Sequence, residues 1–155
     1  MSQGERIDLE QSMGYLLKEA SVALRVAMEE VLRPMGMNIT HYSCLELLAQ
    51  RPGLSNSELA RGAFVTRQAM HVLLQTLERD GEVLRPAVAP AGRALPAQLT
   101  PRGRRRLAKA SEAVRSVEQR MLADIAPADQ STTFAVLHQM ARALQGEKAA
   151  KQVET

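Results

Sequence analysis

"SNSELARGAFVTRQAMHVLLQTLERDG", residues 55–81, is the stretch whose reading decides the fold. Ser55 followed three residues later by Glu58 is a capping-box signature for a helix start. That helix has room for only two turns before Gly62. Thr66 then serves as the N-cap of a second helix, which Gly81 stops. Along this second helix Met70, Leu73, Leu74 and Leu77 fall on one side, and Arg67, Gln68, His71, Val72 and Gln75 on the other. A short helix, a tight glycine-containing turn and an amphipathic helix make a helix-turn-helix pattern.

Toward the C-terminus, "EVLR" (82–85) and "RALPAQLT" (93–100) alternate weakly and read as a β-hairpin with a long tip. The stretch between and around them, "RPAVAPAGRALPAQLTP" (85–101), contains four of the seven prolines and carries Arg93 at its middle. Pro96 confines its strand to an edge, which a two-stranded ribbon tolerates. A hairpin directly after a helix-turn-helix makes it winged. Thr100 and Pro101 then open a long helix as N-cap and first residue. Leu107, Ala110, Val114, Val117 and Met121 follow at a spacing near 3.5, which suits packing on another long helix. "APADQ" (126–130) breaks it. A last helix carries Phe134, Leu137, Met140, Ala141 and Leu144, and the tail "GEKAAKQVET" (146–155) is expected to fray.

Toward the N-terminus, "THYSCLELLAQ" (40–50) predicts a helix capped by Thr40 and closed by "RPG". Residues 8–33 predict a first helix with Asp8 as N-cap, ended by Pro34 and Gly36 in "RPMGMN". Leu9, Met13, Leu16, Leu17, Ala20, Leu24, Met28, Val31 and Leu32 form its apolar stripe. At some 25 residues it exceeds the mean helix of about 11–12, and so broad a face needs a partner larger than one small core. The expected fold class is mainly α: a winged helix-turn-helix with a two-stranded β wing, flanked by long N- and C-terminal helices.

Composition narrows the function classes. The 155 residues hold two Phe, two Tyr and no Trp, so Leu, Ala, Val and Met must fill the core. One cysteine, Cys44, rules out an internal disulfide framework. No segment approaches the ~18 apolar residues of a membrane span, so the chain reads as cytoplasmic. Net charge is +3, unevenly spread. Residues 1–30 place six acids against three bases. Residues 82–106 place six arginines (85, 93, 102, 104, 105, 106) against Glu82 alone. Such asymmetry points to a polyanion.

"GLSNSELARGAFVTRQAMHVLLQTLERDGEV" together with "GRALPAQLTPRGRRRL" resembles the multiple-antibiotic-resistance regulator (MarR) family of bacterial transcription factors. The resemblance runs over residues ~9–145. It implies a single domain, 1–155, with a DNA-binding winged helix at 34–106 and dimerisation helices at 8–33 and 107–145. It further implies a homodimeric repressor on a palindromic double-stranded DNA operator, released by a small lipophilic or aromatic ligand. The chain departs from the family at the wing. An aspartate commonly precedes the tip arginine by two residues, where this chain has Ala91, so Arg93 lacks that brace.

A recognition helix places polar side chains against base edges in the major groove. Gln68 suits adenine, Arg67 suits guanine or phosphate, His71 donates or accepts, and Val72 covers a thymine methyl. Thr66 and Gln75 extend this face. Ser55 and Asn56, at the N-terminus of the preceding helix, are expected at phosphates. Arg93 is expected in the minor groove, and Arg85 on the same wing. "RGRRRLAK" (102–109) places cations where the helix macrodipole disfavours them, which suits phosphate or a partner's acidic helix. The family's usual effector position brings Leu17, Met37, His41 and Cys44 near a pocket.

Cys44, flanked by Leu45 and Leu47, reads as a buried thiol rather than a peroxide sensor. The three histidines show no paired-ligand spacing, so neither metal nor other cofactor is expected. No nucleophile–base pair or phosphate loop suggests an enzyme. Two alternatives stand beside the repressor: a winged-helix interaction module without operator binding, and a thiol-based redox regulator.

Overall fold

The computed structural model of the chain describes residues 6–85 and 96–153, with side chains through 146. The first helix, α1, spans Met13–Leu32 and is capped by Ser12, whose Oγ accepts from Tyr15 N at 3.1 Å. It starts four residues later than a cap at Asp8 predicts. Asp8 Oδ1 accepts from Glu10 N at 3.0 Å, two residues on, and so holds a turn rather than a helix cap. A 3-10 turn, Arg33–Met35, and Gly36 end α1.

Helix α2 spans Ile39–Gln50, and its cap is Asn38, not Thr40: Asn38 Oδ1 accepts from His41 N at 2.8 Å. Helix α3, Asn56–Gly62, has the predicted reciprocal capping box of Ser55 and Glu58, both bonds 3.2 Å. Helix α4, Arg67–Arg79, is capped as predicted by Thr66, which accepts from Ala69 N at 3.1 Å. Strand β1, Val83–Leu84, pairs antiparallel with β2, Gln98–Leu99, in the register Val83↔Leu99 and Leu84↔Gln98. Both are shorter than the sequence suggests, and Pro96 falls outside the ladder it cannot join. The wing tip with Arg93 lies outside the described residues.

Helix α5, Pro101–Leu122, is capped by Thr100, whose Oγ1 accepts from Gly103 N at 3.1 Å. Helix α6 spans Pro127–Val153, including most of the tail expected to fray. Pro127 in the first position and Asp129 in the first turn favour its start, and the alanine- and lysine-rich end has high helix propensity.

The chain divides into two compact units, residues 1–117 and 118–155, the boundary falling inside α5. In the first unit Leu32, Cys44, Leu45, Leu59, Met70, Leu77 and Val83 are fully buried, with Leu107 and Ala110 of α5 in the same cluster. Only the last turns of α1 join this core: Leu32 is buried and Met28 and Val31 pack beside it. Its earlier apolar residues Met13, Leu16, Leu17, Val22 and Val26 are exposed, as are Phe134, Leu137 and Leu144 on α6. Among the described residues no helix is long and apolar enough to cross a membrane, and no cluster of His, Cys, Asp and Glu is arranged to hold a metal.

Candidate nucleic-acid interface

Helix α4 is held from one side. Met70, Leu74 and Leu77 are buried, which fixes its rotation and leaves Arg67, Gln68, Val72 and Gln75 exposed. Thr66 is exposed at its cap and His71 is half-buried at the edge of the face. Arg67 forms no ion pair among the described residues. The predicted recognition face therefore stands together, a polar strip on a rigid helix.

The α3 end is organised differently from the expectation. Ser55 is exposed, but its Oγ already accepts the Glu58 amide. Asn56 Oδ1 is buried with no hydrogen-bond partner. It lines a cavity of about 460 Å³ together with Leu54, Leu59, Leu74, Arg85 and Ala97. Arg85 is partly withdrawn into this space. Its Nε lies 3.7 Å from Glu78 Oε2, an ion pair beyond hydrogen-bond range, and Nε and Nη2 are buried without hydrogen-bond partners. Its side chain stays 28% exposed, so it is a half-buried cation at the edge of an apolar-walled space.

Glu82, fully buried at the foot of the wing, is a feature the sequence reading passed over. His41 Nε2 of α2 lies 3.1 Å from Glu82 Oε1, and Arg106 Nη1 of α5 donates to Oε2 at 3.2 Å. Arg106 Nη2 also donates to Met35 O at 2.5 Å. Burying one carboxylate is tolerable because both its oxygens are bonded. The lone acid among six arginines in 82–106 was the available signal. The remaining cations, Arg102, Arg104, Arg105 and Lys109, are exposed on α5.

The four residues expected at an effector pocket are not open together. Met37 and Cys44 are buried in the core, His41 is engaged by Glu82, and Leu17 is exposed on α1. Burial pushes the Cys44 thiol up to about 12, only partly offset by the charge of Arg85. A thiol so protonated is a poor nucleophile, which counts against the redox reading.

With this geometry in place, the chain can be set beside known proteins. A MarR-family sequence model matches residues 35–94. The HTH-type transcriptional repressor Rv2887 of Mycobacterium tuberculosis is 46% identical over 111 residues, covering 72% of this chain and 80% of that protein. The structure of Rv2887 in complex with salicylic acid superposes with a TM-score of 0.70 at 41% identity, covering 83% of this chain and 96% of the other. Rv2887 in complex with DNA gives 0.69 at 39% identity, covering 83% and 97%. On its helix-turn-helix, its two-stranded wing and these likenesses, the chain belongs to the MarR family of transcriptional regulators.

Proposed function

We propose that this chain, as a homodimer in the cytoplasm, represses transcription by reading a palindromic DNA operator, and that a small aromatic acid releases it. The observation that carries the reading is α4: a helix rigidly seated by Met70, Leu74 and Leu77 that presents Arg67, Gln68, Val72 and Gln75 outward. Gln68 and Arg67 read purine edges, Val72 a thymine methyl, and Thr66, His71 and Gln75 flank them. Ser55 and the exposed α5 arginines meet phosphate. The complex of the relative Rv2887 with DNA supports this.

Apolar residues left exposed on α1 and on α6 support dimerisation, since a second copy would cover them. The complex of Rv2887 with salicylic acid supports an aromatic-acid effector. Leu17, Met37, His41 and Cys44 form a pocket only if the core around Met37 and Cys44 opens. The cavity beside Arg85 better suits the acid, because its guanidinium has unbonded donors and its walls include Leu54, Leu59 and Leu74.

Selection from random duplex DNA tests the reading. A palindrome with half-site centres one helical turn apart, whose binding salicylate weakens, is expected. A folded dimer that enriches no sequence, with or without salicylate, would refute it.

A further inference from the structure

We propose that Phe64, in the turn between α3 and α4, is a base-reading residue whose ring packs on the C5-methyl of a thymine at the edge of each half-site. The inference rests on the operator-binding reading above.

Three helix ends in this chain close with one pattern of bonds. Gly36 N donates to Arg33 O and Met37 N to Leu32 O, at 2.9 and 3.2 Å. Gly81 N donates to Glu78 O and Glu82 N to Leu77 O, at 3.1 and 2.9 Å. At the end of α3, Phe64 N donates to Arg61 O and Val65 N to Ala60 O, at 3.2 and 3.0 Å. The pattern requires a left-handed residue, and φ is +69° at Gly36, +75° at Gly81 and +60° at Phe64. Glycine adopts that conformation freely, whereas a bulky side chain crowds the following carbonyl. Phe64 is the one non-glycine residue with positive φ among the described residues.

Packing does not compensate the strain, because Phe64 is 93% exposed, the most of any large apolar side chain described. Nor does Gly62, two residues earlier, take over the turn. Gly62 is not among the left-handed residues, and a Cβ there would lie 3.0 Å from Leu47 Cδ1 of α2, a tight contact with that side chain. A strained, exposed aromatic ring is thus held where glycine would fold more easily, and strain of this kind concentrates at working sites.

Position and chemistry identify what the ring meets. Phe64 precedes the α4 cap Thr66 by two residues and lies between exposed Arg61 and Arg67. The N-terminal end of a recognition helix enters the major groove, so the residue just ahead of it stands at the groove edge. A hydrocarbon ring offers phosphate no hydrogen bond. The apolar group displayed by bases in the major groove is the thymine C5-methyl.

The test uses the full chain, its Phe64→Gly and Phe64→Leu variants, and the operator selected by the wild type. Each thymine is replaced in turn by deoxyuridine, which lacks only that methyl. One position per half-site should weaken wild-type binding about 3- to 5-fold, the scale of one buried methyl. Phe64→Gly should be insensitive there and melt no lower than wild type, while Phe64→Leu keeps part of the effect. The proposal is overturned if no deoxyuridine position depends on Phe64. It is equally overturned if Phe64→Gly binds the operator as wild type does, or loses random and matched DNA alike. A wild type that prefers no sequence would instead refute operator reading itself. Should Phe64→Gly melt lower, the deoxyuridine profile of Phe64→Leu decides.

Discussion

Replacing Gly103 by alanine should destabilise this protein far more than an ordinary surface change in a helix. A Cβ at Gly103 would sit 2.1 Å from the carbonyl oxygen of Glu82 and 3.0 Å from its carbonyl carbon. Both are backbone atoms, so no side chain can swing aside. The first turn of α5 would have to retreat by roughly 1 Å from the foot of the wing. That turn holds Thr100 N on Glu82 O at 3.1 Å and Thr100 Oγ1 on Gly81 O at 2.6 Å. Arg106, one turn further, holds Glu82 Oε2 at 3.2 Å. Stretching a neutral hydrogen bond forfeits about 1 kcal/mol and the charged one about 1.5–3 kcal/mol. Alanine returns about 1 kcal/mol through helix propensity. With both neutral bonds and the charged one stretched, a net loss of about 2.5–4 kcal/mol corresponds to a fall in Tm of roughly 5–16 °C for a chain of this size. Thermal melts followed by circular dichroism read it directly. A Gly103→Ala variant melting within about 1 °C of wild type would refute the close approach of α5 to Glu82.

Three further outcomes are expected. With its thiol raised to about 12, Cys44 should resist alkylation at neutral pH in the folded protein and react readily in denaturant, as mass spectrometry would show; rapid native labelling would contradict the burial. Burial raises the Glu46 carboxyl, but hydrogen bonds from Gln50, Ser111 and Tyr42 and the charge of Arg115 outweigh it, leaving it below its ordinary 4.5. The folded state thus favours ionised Glu46, a contribution present above 4.5 and lost as pH falls through the lowered value. Glu46→Gln should therefore melt below wild type at neutral pH, with the gap closing in acid; a gap constant with pH would contradict this. Finally, Gln68→Ala should lose about 1–3 kcal/mol on the selected operator and little on random DNA; equal losses would make Gln68 a backbone contact.

The helix-turn-helix was legible because its signals are local. Ser55 with Glu58, and Thr66 ahead of an apolar stripe, satisfy their own helix ends within four residues. Caps that compete with close alternatives were less legible: Asn38 prevailed over Thr40, and Ser12 over Asp8, each by a bond to the amide three residues on. The recognition face followed from periodicity alone, since burial of Met70, Leu74 and Leu77 dictates what points away. The role of His41 did not follow, because its partner Glu82 lies 41 residues away in sequence.

By itself, the sequence determined the order of helices and the exposed polar face of α4, because hydrogen bonds within one turn and a 3.6-residue period need no distant partner. The tertiary structure alone decided the rest. Glu82 meets His41 from 41 residues away and Arg106 from 24. Arg85 is partly withdrawn, and Gly103 is required because a carbonyl occupies the place of its Cβ. The same holds for Phe64, whose left-handed backbone closes the end of α3. Such facts depend on which surfaces come together in space, and a one-dimensional pattern does not carry them.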